Sequence, residues 1–408
     1  MTICFLVLLA IVATSTYVYC NIIKLRNTTK TKHVELGLSH IQDEPYSLSN
    51  PWQQSLRENA DNVDLAINLK DQLENIPYNT KREIGRNYFE IGVKIGNGNF
   101  GTVNKGILFG LYESSSKTTV AIKSVNGLGH RTELNDLMAE IKLMSYIDPH
   151  PNLVSLIGSC SSELKRDGNL WLLIEFCEHG DLQNYLKKNE SKILSGKKND
   201  PINSRSMLKW LFEIAKGMQY LEENKIMHGD LAARNILMAD DPSNTNTPVA
   251  KVADFGLAKN FYDNATYEKA RRELVPWKWM ALEYLEDSYF TLKSDVWSYG
   301  VLLWEIMAFG RPPYGQQTYD EVLTKLKSGS TLTFPNRIKS GLSWSPKTLY
   351  DNLSKVCFIA DPDRRCSFSE VVQIIQNLLS KKEKSQYRKI VTTYRKTIAD
   401  LYLKNGMK

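Results

Sequence analysis

Four short stretches of this chain combine residue types and spacings suited to holding anions and moving a proton. In Gly96-Asn97-Gly98-Asn99-Phe100-Gly101-Thr102-Val103, three glycines would let the backbone come close to phosphates, where side chains would clash. A lone G-x-G-x-x-G is weak, because it also occurs in dinucleotide folds and in glycine-rich turns. Strand-like sequence on both sides favours a hairpin lid over a strand-to-helix turn. Val120-Ala121-Ile122-Lys123 ends an apolar strand on a lysine, and a buried ammonium needs anions beside it. Glu140 sits on the helix-like stretch that follows, and read alone it would be a surface helix charge.

The strongest signal is His228-Gly229-Asp230-Leu231-Ala232-Ala233-Arg234-Asn235 followed by Asp254-Phe255-Gly256. With the glycine loop and the lysine upstream, these complete the protein-kinase signature set in its order. Chance occurrence of all four at these separations is negligible. From about Ile76 to Leu379 the chain resembles the protein-tyrosine kinase family. The resemblance implies an α+β, two-lobed fold with a small β-rich N-lobe and a large helical C-lobe. It also implies transfer of the ATP γ-phosphate to tyrosine hydroxyls of proteins.

By that resemblance Asp230 orients the incoming hydroxyl and accepts its proton, with Arg234 in the same loop. Asn235 and Asp254 hold Mg2+, or Mn2+ in its place, as hard oxygen ligands suit. Lys123 holds the α- and β-phosphates and is itself held by Glu140. The ATP-binding positions are Ile95, Gly96, Asn97, Gly98, Asn99, Phe100, Gly101, Thr102, Val103, Ala121, Lys123, Glu175, Cys177 and Leu237. Glu175 to Cys177 reads as the hinge, with Ile174 as gatekeeper, and Gly256 lets the activation segment swing. Tyr262 and Tyr267 are candidate regulatory phosphosites in that segment. Arg365 is expected to pair with Glu283.

The tyrosine class rests on Ala232-Ala233-Arg234-Asn235, where serine/threonine kinases usually place a lysine two residues after the aspartate. Pro276 to Ala281, Ser294 to Val301 and Cys357 to Phe368 match the same family. Ile76-Pro77-Tyr78 and Arg86 resemble the juxtamembrane approach of receptor-type members, and 187–203 resembles a short kinase insert. The chain departs from the pattern at four places. Gly229 replaces the arginine that usually grips an activation-loop phosphate, with Lys259, Arg271 and Arg272 as substitute partners. Leu282 and Cys366 replace prolines, and Trp277 is bulkier than the usual aliphatic residue.

The rest of the chain frames this domain. Its 408 residues are 42% hydrophobic and 24% charged, which argues against disorder along the whole length. A net charge of +7 without an arginine-rich tract or zinc-finger spacing points to a solvated surface and no nucleic-acid partner. The six cysteines form no CxxC pair and imply neither a disulfide framework nor a structural zinc. Residues 1–23 are uncharged and apolar, followed by Lys24, Arg26, Lys30 and Lys32. A cleaved signal peptide and a signal anchor both fit. The anchor is favoured, because basic flanks stay cytoplasmic and ATP is a cytosolic substrate.

The expected order is therefore a single transmembrane helix at 1–23, a juxtamembrane segment at 24–87, a kinase domain at 88–380 and a basic tail at 381–408. Within the domain the N-lobe covers 88–176, the C-lobe 177–380 and the insert 187–203. This layout resembles a receptor kinase reduced to an anchor and a cytoplasmic half, as in small invertebrate members. Expected partners are ATP, tyrosine-bearing proteins, the membrane, a homodimer or co-receptor, and phosphotyrosine-binding adaptors at tail tyrosines such as Tyr387, Tyr394 and Tyr402. The competing readings are a scaffolding pseudokinase, for which Gly229 is the only support, and a secreted domain.

Overall fold

The computed structural model describes residues 76–98, 101–111, 115–125, 131–195, 202–243, 247–255, 275–335 and 344–404. The small lobe is a five-stranded sheet in the order β1-β2-β3-β5-β4. Its strands are β1 (Phe89–Gly98), β2 (Gly101–Phe109), β3 (Lys117–Val125), β4 (Leu156–Cys160) and β5 (Leu170–Glu175). All neighbours are antiparallel. Phe89, Leu108, Val120, Ile122, Trp171 and Leu173 form one buried cluster of this sheet, with Phe89 edge-on to Trp171 at 5.9 Å between ring centroids. Helix α1 (Arg131–Tyr146) packs on the other side, against β3, β4 and β5.

Residues 76–88 already belong to this lobe. Ile76 is buried in the core, and Ile84 N donates to Ser159 O of β4 at 2.7 Å. Gly158 leaves room for that approach, since a Cβ there would lie 2.4 Å from Ile84 Cδ1. Tyr78 donates to the Glu83 carboxylate and bonds Ser159 Oγ, and burial with that carboxylate pushes its phenol up to about 12. Arg86 stacks over the rings of Phe89 and Trp171.

The large lobe is helical. Helix α2 (Leu164–Asp167) is a single turn before β5, and α3 (Leu182–Ser195) opens the lobe. Residues 187–195 of the expected insert form the second half of this helix. Leu182, Leu186, Asn189 and Ile193 recur at helical spacing and are buried, so the lysine-rich face between them is the solvent side of a helix. The central α4 (Ser204–Glu223) is opened by an Asn203 capping box and carries the stripe Leu208, Leu211, Phe212, Ala215 and Met218 inward. A two-stranded sheet, β6 (Ile236–Ala239) with β7 (Val249–Val252), lies against it.

Then follow α5 (Leu282–Asp287), α6 (Leu292–Met307), α7 (Tyr319–Lys327), α8 (Pro346–Cys357), α9 (Phe368–Gln376) and α10 (Lys381–Lys404). Thr291, Thr318 and Ser367 cap α6, α7 and α9 with reciprocal capping boxes. Cys177 and Cys357 are buried. Among the described residues no helix is long and apolar enough to cross a membrane, and the expected anchor at 1–23 lies outside them.

Arg365 and Glu283 brace this lobe as expected. Arg365 Nη1 and Nη2 bond the two Glu283 oxygens at 2.8 and 2.9 Å, and the guanidinium also donates to the carbonyls of Ile359, Lys293 and Ala360. Both side chains are out of water. Such a pair stabilises little over an apolar replacement, yet breaking it strands a charge. Arg365→Leu is expected to lower unfolding stability by about 3–5 kcal/mol, read from the urea midpoint. A loss below about 1 kcal/mol would show that the guanidinium is dispensable to Glu283.

Candidate active site

The β3 strand runs between β2 and β5, and Lys123 near its end is only 3% exposed. Two carboxylates meet it. Its Nζ lies 2.7 Å from Glu140 Oε2 and 3.0 Å from Asp254 Oδ1. Burial works against the ammonium, but Asp254 and Glu140 outweigh it and hold the lysine above its ordinary range. Lys123 in turn holds the Asp254 carboxyl below the usual carboxylate range. The helical face of α1 that carries Glu140 is therefore fixed by charge as well as by Leu137, Ile141 and Met144 in the core.

The glycine stretch is a hairpin, as its flanks suggested. Gly96 pairs with Val103, Asn97 with Thr102 and Gly98 with Gly101, while the tip at Asn99 and Phe100 lies outside the described residues. Gly101 has φ 152°, and a Cβ there would lie 2.1 Å from Ser124 O, so the close packing of β2 on β3 requires glycine. Val103 stands opposite Lys123 across the ladder, Ala121 is buried and Ile95 is 48% exposed.

The loop after α4 makes the second half of the site. Asp230 is buried and accepts from Arg234 Nη2 at Oδ1 and from Asn235 Nδ2 at Oδ2, the latter at 2.8 Å. Asn235 Nδ2 also bonds Asp230 O at 2.7 Å. Burial pushes the Asp230 carboxyl up, against the pull of Arg234 and Asn235. Asn235 O accepts from Ala253 N at 2.9 Å, which sets Asp254 beside this loop. Asp254 takes a left-handed backbone, φ 55°, that aspartate tolerates better than most residues.

Two acidic residues of α6 hold the loop, and sequence reasoning gave neither a role. Asp295, 1% exposed, accepts from His228 N at 2.7 Å and Gly229 N at 2.9 Å. Glu305 Oε2 accepts from Ala233 N and from Trp279 Nε1, each at 2.9 Å. Arg234 lies over the Trp279 ring at 4.4 Å. Asp295 lies within the matched stretch Ser294 to Val301, and Glu305 lies one turn further along the same helix. A carboxylate inside an otherwise apolar helix was the available signal. Gly229 has φ 79°, a conformation that costs an L side chain roughly 1–2 kcal/mol.

The hinge segment splits its duties. The Glu175 carboxylate accepts from Ser155 N at 2.7 Å and from Lys251 Nζ at 3.0 Å, which leaves contact with a base to its main chain. Cys177 is buried with Ile174, Leu237, Ala239 and Ala253 in a small apolar cluster. Gly256, Lys259, Tyr262, Tyr267, Arg271 and Arg272 lie outside the described residues. Trp277 packs edge-on to Tyr319 at 5.6 Å.

The main-chain bond from Ala253 N to Asn235 O brings Asp254 near Asn235, and both carry side-chain oxygens of the kind a hard cation takes. Oxygen donors of this kind would suit Mg2+. A lysine held between two carboxylates, a glycine hairpin above it and a buried aspartate in the loop after α4 are the arrangement expected of a two-lobed kinase domain. A family model for protein tyrosine and serine/threonine kinases matches residues 89–375, and the chain belongs to that family.

Its curated relatives carry receptor names. Human vascular endothelial growth factor receptor 1 is 31% identical over 372 residues, covering 77% of this chain and 26% of the relative. Vascular endothelial growth factor receptor 3 of Danio rerio is 31% identical over 356 residues, 77% and 25%. Vascular endothelial growth factor receptor 2 of Coturnix japonica is 30% identical over 373 residues, 77% and 26%. The chain spans about a quarter of the length of these relatives. The receptor-type resemblance of the sequence agrees with them.

Glu305 gives the site a pH signature. Burial pushes its carboxyl from 4.5 up to about 7, although Trp279 and Ala233 pull the other way. Between those values the folded chain keeps a proton that the unfolded chain has released. Its contribution is full below pH 4.5 and is lost as pH rises through 7. Glu305→Gln has no such proton to lose. It should gain on the parent from pH 5 to pH 8 by up to about 3 kcal/mol, measured by denaturant unfolding at both values. A gap that does not change with pH would refute a protonated Glu305.

Proposed function

We infer that this chain is a membrane-anchored protein-tyrosine kinase that transfers the ATP γ-phosphate to tyrosine hydroxyls of proteins, its own among them. The observation that carries the reading is the meeting of Lys123, Glu140 and Asp254 with Asp230, Arg234 and Asn235 in one cleft. Asp230 takes the phenolic proton as the oxygen bonds the γ-phosphorus and the bond to ADP breaks. Its buried setting favours proton uptake, and Arg234 and Asn235 fix its orientation. Lys123 steadies the α- and β-phosphates, and the β1–β2 hairpin covers them. Asn235 and Asp254 would hold Mg2+, which would neutralise charge on the phosphates. Cys177 and the Glu175 main chain meet the adenine, with Ala121, Val103 and Leu237 around it.

The tyrosine class is supported by Ala232-Ala233-Arg234-Asn235 and by the receptor relatives. Anchoring at 1–23, a cytoplasmic domain and an outside N-terminus are supported by the apolar start, its basic flank and the receptor names of the relatives. Activation through a homodimer or co-receptor, and recruitment of phosphotyrosine-binding adaptors, follow from the same resemblance. Gly229 removes the cation that usually reads an activation-loop phosphate, so phosphorylation of Tyr267 switches this kinase less than its relatives.

The test is tyrosine phosphorylation by the full chain in lipid nanodiscs, with ATP, Mg2+ and a tyrosine-containing copolymer. Asp230→Asn should cut the rate about 10²–10⁴-fold. Silence of a well-folded parent would move the reading to a scaffold. On the same substrate Tyr267→Phe should keep most of the parental rate, and a near-complete loss would contradict the role given to Gly229.

A further inference from the structure

The segment beyond Ser380 reads in sequence as a basic tail. It is the 24-residue helix α10, about 36 Å long at 1.5 Å per residue. Its contacts climb the molecule in chain order. Glu383 pairs with Arg205 at the start of α4 in the large lobe. Tyr387 bonds Asn152 Oδ1 at 2.8 Å and meets the Phe212 ring edge-on at 5.0 Å. Ile390 is 1% exposed. Tyr394 bonds Ser155 Oγ, and Lys251 Nζ lies 4.7 Å from the centre of its ring. Ile398 packs against the small-lobe cluster of Phe89, Leu108 and Trp171.

Residues 387, 390, 394 and 398 recur at three- and four-residue steps and so form one seam of the helix. The seam crosses from the large lobe to the small one behind the segment that joins them. At the crossing Lys251 of β7 is salt-bridged to Glu175 at the end of β5, and Glu175 also accepts from Ser155 N. Tyr394 covers this cluster. The packing around it is incomplete, since a cavity of about 260 Å³ lies between Ile390, Tyr394 and Ile398 and the residues Phe176, Ile157 and Leu111. The upper half of α10 is therefore the part that opens most easily.

We propose that α10 is a strap fixing the angle between the lobes, and that Tyr394 is a phosphorylation site whose modification unfastens the strap's upper half. The phosphoryl group comes from ATP through a protein-tyrosine kinase. The Tyr394 oxygen bonds the γ-phosphorus, the bond to ADP breaks and the phenolic proton passes to the attacking kinase's base. Modification takes place while the upper half is undocked, and the phosphate then blocks its return. A phosphotyrosine carries close to two negative charges. Docked, it would lie against buried Ser155 and beside the Glu175 carboxylate, and would compete with Glu175 for Lys251. Tyr387, Ile390 and Glu383 keep the lower half in place.

The test uses the full chain carrying Asp230→Asn, a separate active tyrosine kinase and ATP, so its outcome does not depend on this chain's own activity. Phosphate should map to Tyr394. Amide exchange in 391–404 should then rise at least tenfold, with 381–389 unchanged. The distance distribution between labels on exposed Lys94 of β1 and Lys347 of α8 should broaden. Tyr394→Glu should reproduce both effects without kinase, whereas Tyr394→Phe should take no phosphate there and keep parental exchange. The proposal is overturned by a Tyr394 left unmodified when a peptide of 388–400 is modified. It is equally overturned by phosphate on Tyr394, or by Tyr394→Glu, with exchange and label distances like the parent's.

Discussion

The ammonium of Lys123 is the constraint around which the small lobe is arranged. Shut into the sheet, it can stay charged only with carboxylates at hand, and it has two, from opposite sides of the cleft. Glu140 comes from α1 and Asp254 from the residues after β7. One buried cation thereby ties the helix of the small lobe to Asp254 of the large one. The tilt of α1, the path of the chain after β7 and the position of Asp254 beside Asn235 all answer to it.

The large lobe solves the complementary problem of holding Asp230 still. Most of its support comes from α6, whose two buried acids grip successive parts of the loop by main-chain N–H groups. Asp295 takes the two amides before Asp230, and Glu305 takes the amide before Arg234 while also orienting Trp279. The loop from His228 to Asn235 is thus hung from a capped and largely buried helix. Gly229 fits this suspension, since its left-handed backbone turns its N–H toward Asp295 without strain.

The sequence shows most plainly the residues whose chemistry is costly elsewhere. Lys123 at the end of an apolar strand demands partners, and Asp230 with Asn235 and Asp254 carries its spacing openly. The hairpin form of the glycine loop follows from strand pattern on both flanks, and the pairing of Arg365 with Glu283 from family resemblance. What stayed hidden depends on tertiary partners. Asp295 and Glu305 look like ordinary helix acids until the loop is laid across α6. The lysines of 187–195 disguise a helix whose inward side is carried by Asn189 and Ile193. In α10 the seam was present in the spacing of Tyr387, Ile390, Tyr394 and Ile398. Numerous lysines and arginines between them lower the mean hydropathy and give the look of a tail.

Because α10 is continuous, it also works as a ruler. Its two ends are anchored to different lobes, and the separation between Tyr387 and Tyr394 sets both a height and a rotation. Deleting one residue between them would draw the upper contacts down by about 1.5 Å and turn them by about 100°. Tyr394 would then face away from Ser155 while every side chain below it kept its place. The sequence between those two tyrosines is free to vary in composition, but its length is part of the fold.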